Sequence, residues 1–151
     1  MATNQNQELV NRFFDEVCNQ RKLQVANELF STGHIYHDPQ TPSAPGPDGI
    51  KQVVQIYQNA FPDAHWHILE TIVSGNDIIT RWKGTGTHKN ELNGIPPTGK
   101  KVNVEGIWIQ RINSGRIVES WNVWDTLGLL QQIGVVPSMQ AETESADASR
   151  N

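Results

Sequence analysis

Apolar residues recur at two different periods along this chain, and the change of period divides it. Across residues 5 to 20, Leu9, Val10, Phe13, Phe14 and Val17 form one stripe at helical spacing among Asn and Glu residues, which predicts an amphipathic helix. "KLQVANELF" keeps that period through Leu23, Ala26, Leu29 and Phe30, predicting a shorter helix that ends near Gly33. The run "DPQTPSAPGPDG" is loop. Beyond it Ile50, Val53, Val54, Tyr57 and Phe61 predict a third helix, closed by Pro62. Then β-branched and aromatic residues take over. "AHWHILETIV", "DIITRWKGTGTH", "KVNVEGIWIQRI" and "RIVESWNVW" predict strands, with "SGN" and "NSG" as tight turns and "NELNGIPPTG" as a longer loop. Three helices followed by a strand meander indicate an α+β fold, a curved antiparallel sheet with helices on one face. Such a sheet leaves a cone-shaped cavity, the default binding site.

Composition narrows the setting. The 151 residues suffice for one domain, expected over residues 1–136. Residues 137–151, "PSMQAETESADASRN", are too polar and small to offset their ordering entropy and are expected to form a flexible tail. A formal net charge of −4, with both signs interspersed, argues against nucleic acid as a partner. The single cysteine, Cys18, allows no intramolecular disulfide and no Cys-based zinc site. The N-terminus lacks the pattern of a signal peptide and no apolar run is long enough for a bilayer, so a soluble, cytoplasmic protein that does not engage membranes is expected.

The ordered series "FFDEVCNQ…ANELF…IYHDP…GPDGI…FPDAHW…GTH…LNGIPPTGKKV…RINSGRIVESWNVWD…LLQQIG" resembles the SnoaL-like polyketide cyclases, or ester cyclases, of the NTF2-like superfamily. The likeness runs from about Leu9 to Gly134. It implies an NTF2-like cone with a deep pocket, a homo-oligomer (dimer or tetramer), and an intramolecular aldol condensation that closes a ring of an aromatic polyketide ester without metal or organic cofactor. One positioned carboxylate suffices for that chemistry, because a methylene between two carbonyls is already acidic.

The type cyclase carries its catalytic aspartate on the last strand, seven residues after the hairpin glycine. Counting from Gly115, that place is Asn122, an amide that can donate a hydrogen bond to an enolate oxygen but cannot exchange a proton near neutrality. The family's supporting glutamine, histidine and asparagine fall, without gaps, on Gly106, Trp108 and His37. A parity argument independent of the family agrees on the face. If "NSG" is a three-residue loop with Ile112 opposite Arg116, residues 106, 108 and 110 share a face with 118, 120 and 122, while Glu119, Trp121 and Val123 join Ile107 and Ile109 on the other. That second face is apolar too, as a surface covered by a partner subunit would be.

His37 is the expected general base, since imidazole titrates near neutrality and its matched family position opens into the pocket; the alternative is a histidine that orders the loop beginning "DPQTP". Asp38, before Pro39, is expected on the opposite side of the strand as a loop cap. Asp125 has two readings, a substitute catalytic acid or the N-cap of a short helix over "TLGLLQQIG". Trp82, Trp108 and Trp124 offer a wall for a flat ligand, Gln110 and Ser120 a minor polar lining, and Tyr57 and Phe14 complete the expected substrate-binding set. "HWH" at 65 to 67 is half of a metal site whose third ligand, His88 or Glu70, no spacing fixes, so no metal is expected.

Two functions of different class follow. The first is a cofactor-independent cyclase or isomerase that moves a proton on an apolar, carbonyl-bearing small molecule, with His37 as base and Asn122 as oxyanion donor. The second is a protein that binds a small apolar molecule without chemistry, favoured by the amide at Asn122. A third, epoxide hydration or hydroxylation, calls for several pocket carboxylates, which the sequence does not supply.

Overall fold

A computed structural model describes residues 2–137, with side chains from residue 5 onward. Apart from Pro137, the segment expected to be a flexible tail lies outside the described residues. Helix α1 (Ala2–Arg12) continues as π-helical turns over Phe13–Asn19, closed by the Gln20 amide donating to Asp15 O at 2.9 Å. A 3₁₀ turn (Leu23–Val25) leads into the single-turn α2 (Ala26–Leu29), followed by β1 (Phe30–His37) and α3 (Pro47–Ala60). The meander comprises β2 (His65–Ser74), β3 (Asp77–Thr87), β4 (Lys101–Asn113) and β5 (Arg116–Trp124), and α4 (Thr126–Gln132) follows it.

The five strands form one curved sheet in the order β1-β5-β4-β3-β2. Two features differ from the sequence expectation. The second helix is shorter, because its last apolar residue, Phe30, already belongs to a strand, and that strand pairs parallel to β5 beside an otherwise antiparallel meander. A parallel edge requires a long crossover, here the whole chain between β1 and β5, so no local pattern announces it.

The core lies between the helices and the concave face of the sheet. Phe13, Phe14, Phe30, Ile50, Ile78 and Ile117 are essentially fully buried, each contributing about 1.5–3 kcal/mol. Side-chain bonds tie the layers together: Gln58 of α3 donates to the Val17 and Cys18 carbonyls at 3.0 and 2.8 Å, satisfying a helix end. Asn19 exchanges two bonds with the backbone of Trp66 at 2.8 and 2.9 Å, occupying part of the β2 edge.

The β4–β5 hairpin sets the faces. Its turn is two residues long, not three: Ser114 and Gly115 both have positive φ, 52° and 75°, and Asn113 pairs with Arg116. A bulge at Val118 then restores the expected parity, so Trp108 stands opposite Asn122 and Gln110 opposite Ser120 on the concave face.

Candidate functional site

Helix α3 and the concave face of the sheet converge on a cleft. Tyr36 and Asp38 reach it from β1, Val53, Val54 and Tyr57 from α3, and Trp82, Trp108, Asn122 and Trp124 from the sheet. About 610 Å³ of space not filled by atoms lies within it, including the open mouth. Its walls are mostly aromatic and aliphatic; the polar side chains among them are Tyr36, Asp38, Tyr57, His65, Thr85 and Asn122.

The polar groups form a directed chain. An indole N–H can only donate, so the bond from Trp82 Nε1 at 3.1 Å fixes the near atom of Asn122 as Oδ1. The Asn122 amide nitrogen therefore faces Tyr36 and donates to its Oη at 3.0 Å. The Tyr36 hydroxyl in turn donates to Asp38 Oδ2 at 2.8 Å, and the Gln40 amide donates to Asp38 Oδ1 at 2.9 Å. Burial, reinforced by the Asp38 carboxylate, pushes the Tyr36 hydroxyl far above the ordinary tyrosine range. It keeps its proton and serves as a donor. Tyr57, also raised mainly by burial, shares a 3.2 Å bond with Thr41.

His37 does not open into this cleft. Alternation along β1 turns His34 and Tyr36 inward and Ile35 and His37 outward, where the His37 ring stacks on Trp121 and its Nε2 lies 2.7 Å from Glu119. The ungapped count was off by one residue in parity, which also misplaced Asp38: sharing parity with Tyr36, it faces the cleft while performing the expected loop cap at Gln40. Asp125 caps α4 by accepting from the Gly128 amide at 2.8 Å and does not line the cleft.

Trp82, Trp108 and Tyr57 line the cleft; Phe14 instead packs edge-on behind Trp108, ring centroids 5.7 Å apart. Gln110 and Ser120 lie one row deeper and are fully buried. Ser120 bonds His34 Nε2 at 2.8 Å, whereas the Gln110 amide has no partner among the described residues. The rings of His65 and His67 lie tilted against each other with centroids 4.3 Å apart, and among the described residues no group of three His, Cys, Asp or Glu could hold a metal ion.

Gly106 shapes the aromatic wall. A Cβ there would lie 2.6 Å from Trp124 Cβ and 2.7 Å from two ring atoms of Trp82, so the absent side chain lets Trp82 cross β4 and reach Asn122. Gly106→Ala is expected to displace the Trp82 indole and lower stability by about 1–3 kcal/mol, read as a lower Tm with altered tryptophan fluorescence. An unchanged emission spectrum and Tm would contradict this packing.

The family profile of the SnoaL-like polyketide cyclases matches residues 8–133, most of the chain. The chain belongs to the SnoaL-like polyketide cyclase family. It is 29% identical over 108 residues to aklanonic acid methyl ester cyclase DnrD of Streptomyces peucetius, covering 71% of this chain and 72% of that one. Among solved structures it is similar to a candidate polyketide cyclase from Acidithiobacillus ferrooxidans, with TM-score 0.77 and 26% identity over 85% of this chain and 94% of that one. TsrD from Streptomyces laurentii superimposes with TM-score 0.80 at 21% identity, over 88% and 97% of the two chains, a likeness of fold alone. This SnoaL-like chain thus has the NTF2-like α+β architecture, and no helix among the described residues is long and apolar enough to cross a membrane.

Proposed function

We propose that this protein is a cofactor-independent enzyme that closes a ring in an aromatic, polyketide-like ester by proton transfer and intramolecular aldol condensation. The observation that carries the reading is the hydrogen-bonded chain Trp82–Asn122–Tyr36–Asp38 in a cleft otherwise walled by apolar groups. A flat, carbonyl-bearing molecule suits such walls. Asn122 has one N–H on Tyr36 and a second free to donate to a carbonyl oxygen as it becomes an enolate. Family membership and the similarity to an enzyme named for cyclising aklanonic acid methyl ester support the reaction class. No metal or organic cofactor enters this scheme, because the two flanking carbonyls make the reacting methylene acidic.

The second reading is a binding protein without turnover, favoured by the amide at the place where the family's aspartate is expected. Incubation with a panel of aromatic β-keto esters separates the two. Conversion without change of mass, faster than in buffer, supports the enzyme; saturable binding with no conversion of any ester supports the binder.

A second copy of the chain is the proposed cover of the convex sheet face. There Ile35, Ile72, Ile107 and Val123 are exposed among paired charges of both signs, Arg81 with Glu70 and Glu105, Arg111 with Asp77, a pattern that can complement itself across a two-fold axis. A cytoplasmic setting belongs to the same proposal: the one cysteine, Cys18, is buried, and burial holds its thiol in the protonated form.

A further inference from the structure

We infer that Asp38 is the proton carrier of the cleft, with Tyr36 as its positioning residue; this rests on the enzyme reading above. The family's aspartate position is occupied here by an amide, so a carrier has to come from elsewhere in the cleft wall. Asp38 is the one carboxylate among the lining residues. The other acids near the ends of β1 and β5 are committed outside it: Glu119 to His37 on the convex face, and Asp125 to the first turn of α4.

Its surroundings suit a base that is held in place without being consumed. Gln40 N–H and Tyr36 O–H each occupy one position on the two carboxylate oxygens, which between them offer about four. The remaining positions are free for a substrate proton. Tyr36 from β1, Tyr57 from α3 and His65 from β2 are the other titratable groups at the cleft. Tyr36 and Tyr57 stay protonated, and His65 bonds neither Asp38 nor Asn122. Asn122 is linked to Asp38 through a single hydroxyl, by bonds of 3.0 and 2.8 Å, so the oxyanion donor and the base are close enough for one small ligand to touch both.

The steps balance without a co-reactant. Asp38 removes a proton from the methylene between two carbonyls, and the C–H electron pair moves into an enolate whose oxygen accepts from Asn122. The enolate carbon attacks a third carbonyl, elsewhere in the same molecule; a C–C bond forms, the C=O π bond breaks, and an alkoxide results. The proton on Asp38 passes to that alkoxide, restoring the carboxylate. The product is an isomer of the substrate.

Ethyl benzoylacetate, whose methylene lies between two carbonyls, is a probe for the first step through deuterium uptake in D₂O followed by NMR. The full-length protein is expected to accelerate uptake above the buffer rate. Asp38→Asn, which keeps the size of the side chain and its Gln40 cap, is expected to lower that acceleration by roughly 100-fold or more. Asp38→Glu restores part of it. Tyr36→Phe lowers kcat about tenfold at unchanged KM, the split expected of a residue that orients the base. Wild-type uptake in Asp38→Asn overturns the assignment and leaves the enzyme reading standing if ring closure is observed. No acceleration by the wild type overturns both.

Discussion

Between neutral pH and about pH 4 the protein is expected to lose about 3 kcal/mol of folding stability through His34 alone. His34 lies on the concave side of β1, almost without exposure, against Phe30 and bonded to Ser120. Burial lowers its pKa from 6.5 to about 4; the negative charge of Glu119 opposes this and His37 adds to it. The unfolded chain therefore binds a proton near pH 6.5 that the folded chain refuses until about pH 4. Stability is complete above the unfolded value, falls across that window, and changes no further through this group below it. Denaturant unfolding of wild type and His34→Gln as a function of pH isolates the effect, since other groups titrate alike in both. The variant should lack the extra slope. Equal slopes would show that the imidazole reaches solvent in the folded state. The consequence is local as well as global, because His34 helps hold the strand that carries Tyr36 and Asp38 beside β5.

Asn122→Asp is expected to reduce turnover by roughly 100-fold, the usual loss on removing an oxyanion donor. Asn122 is 4% exposed, with Oδ1 on Trp82 and Nδ2 on Tyr36. A carboxylate there keeps the Trp82 bond but cannot donate to Tyr36 or to a ligand, and it competes with Asp38 for the single Tyr36 proton. Burial and the neighbouring Asp38 charge both favour its neutral form, raising its folded pKa above the unfolded value. The contribution of this carboxyl to the variant's stability is then complete in acid and is lost as pH rises past the ordinary carboxylate range, opposite in sign to the His34 effect. Steady-state kinetics and unfolding at two pH values check both halves. A rise in turnover would mean that the family's proton carrier had simply been missing and that Asp38 does not replace it.

The helices and the meander strands were legible from their hydrophobic periods: α3 from Ile50 to Phe61, β4 from strict alternation with buried residues at every second place, and β5 from an alternation broken at Val118. The faces of β4 and β5 were legible for the same reason, although the turn proved shorter and a bulge at Val118 made up the difference. β1 was not. Its partner is 86 residues away at the Tyr36–Asn122 contact, it runs parallel, and "FSTGHIYH" places histidines in both parities. Apolar Ile35 faces outward and polar His34 inward, so hydropathy gave no guide to its register. One error of parity there exchanged His37 for Tyr36 and Asp38. Asn122 was placed from a three-residue turn that the structure does not have, and it faces the cleft because the bulge at Val118 restores the parity. The capping reading of Asp125 was equally local, written in the side chain and the amide three residues on.

The central claim is that Asp38, Tyr36 and Asn122 face one bound carbonyl compound. A crystal structure of the protein with a non-cyclisable aromatic β-diketone tests it most directly. The account predicts the aromatic part between Trp82, Trp108 and Trp124, one carbonyl oxygen within hydrogen-bond distance of Asn122 Nδ2, and the carbon between the carbonyls against Asp38. A diketone bound elsewhere, or in the cleft with its oxygens turned from Asn122, would contradict it.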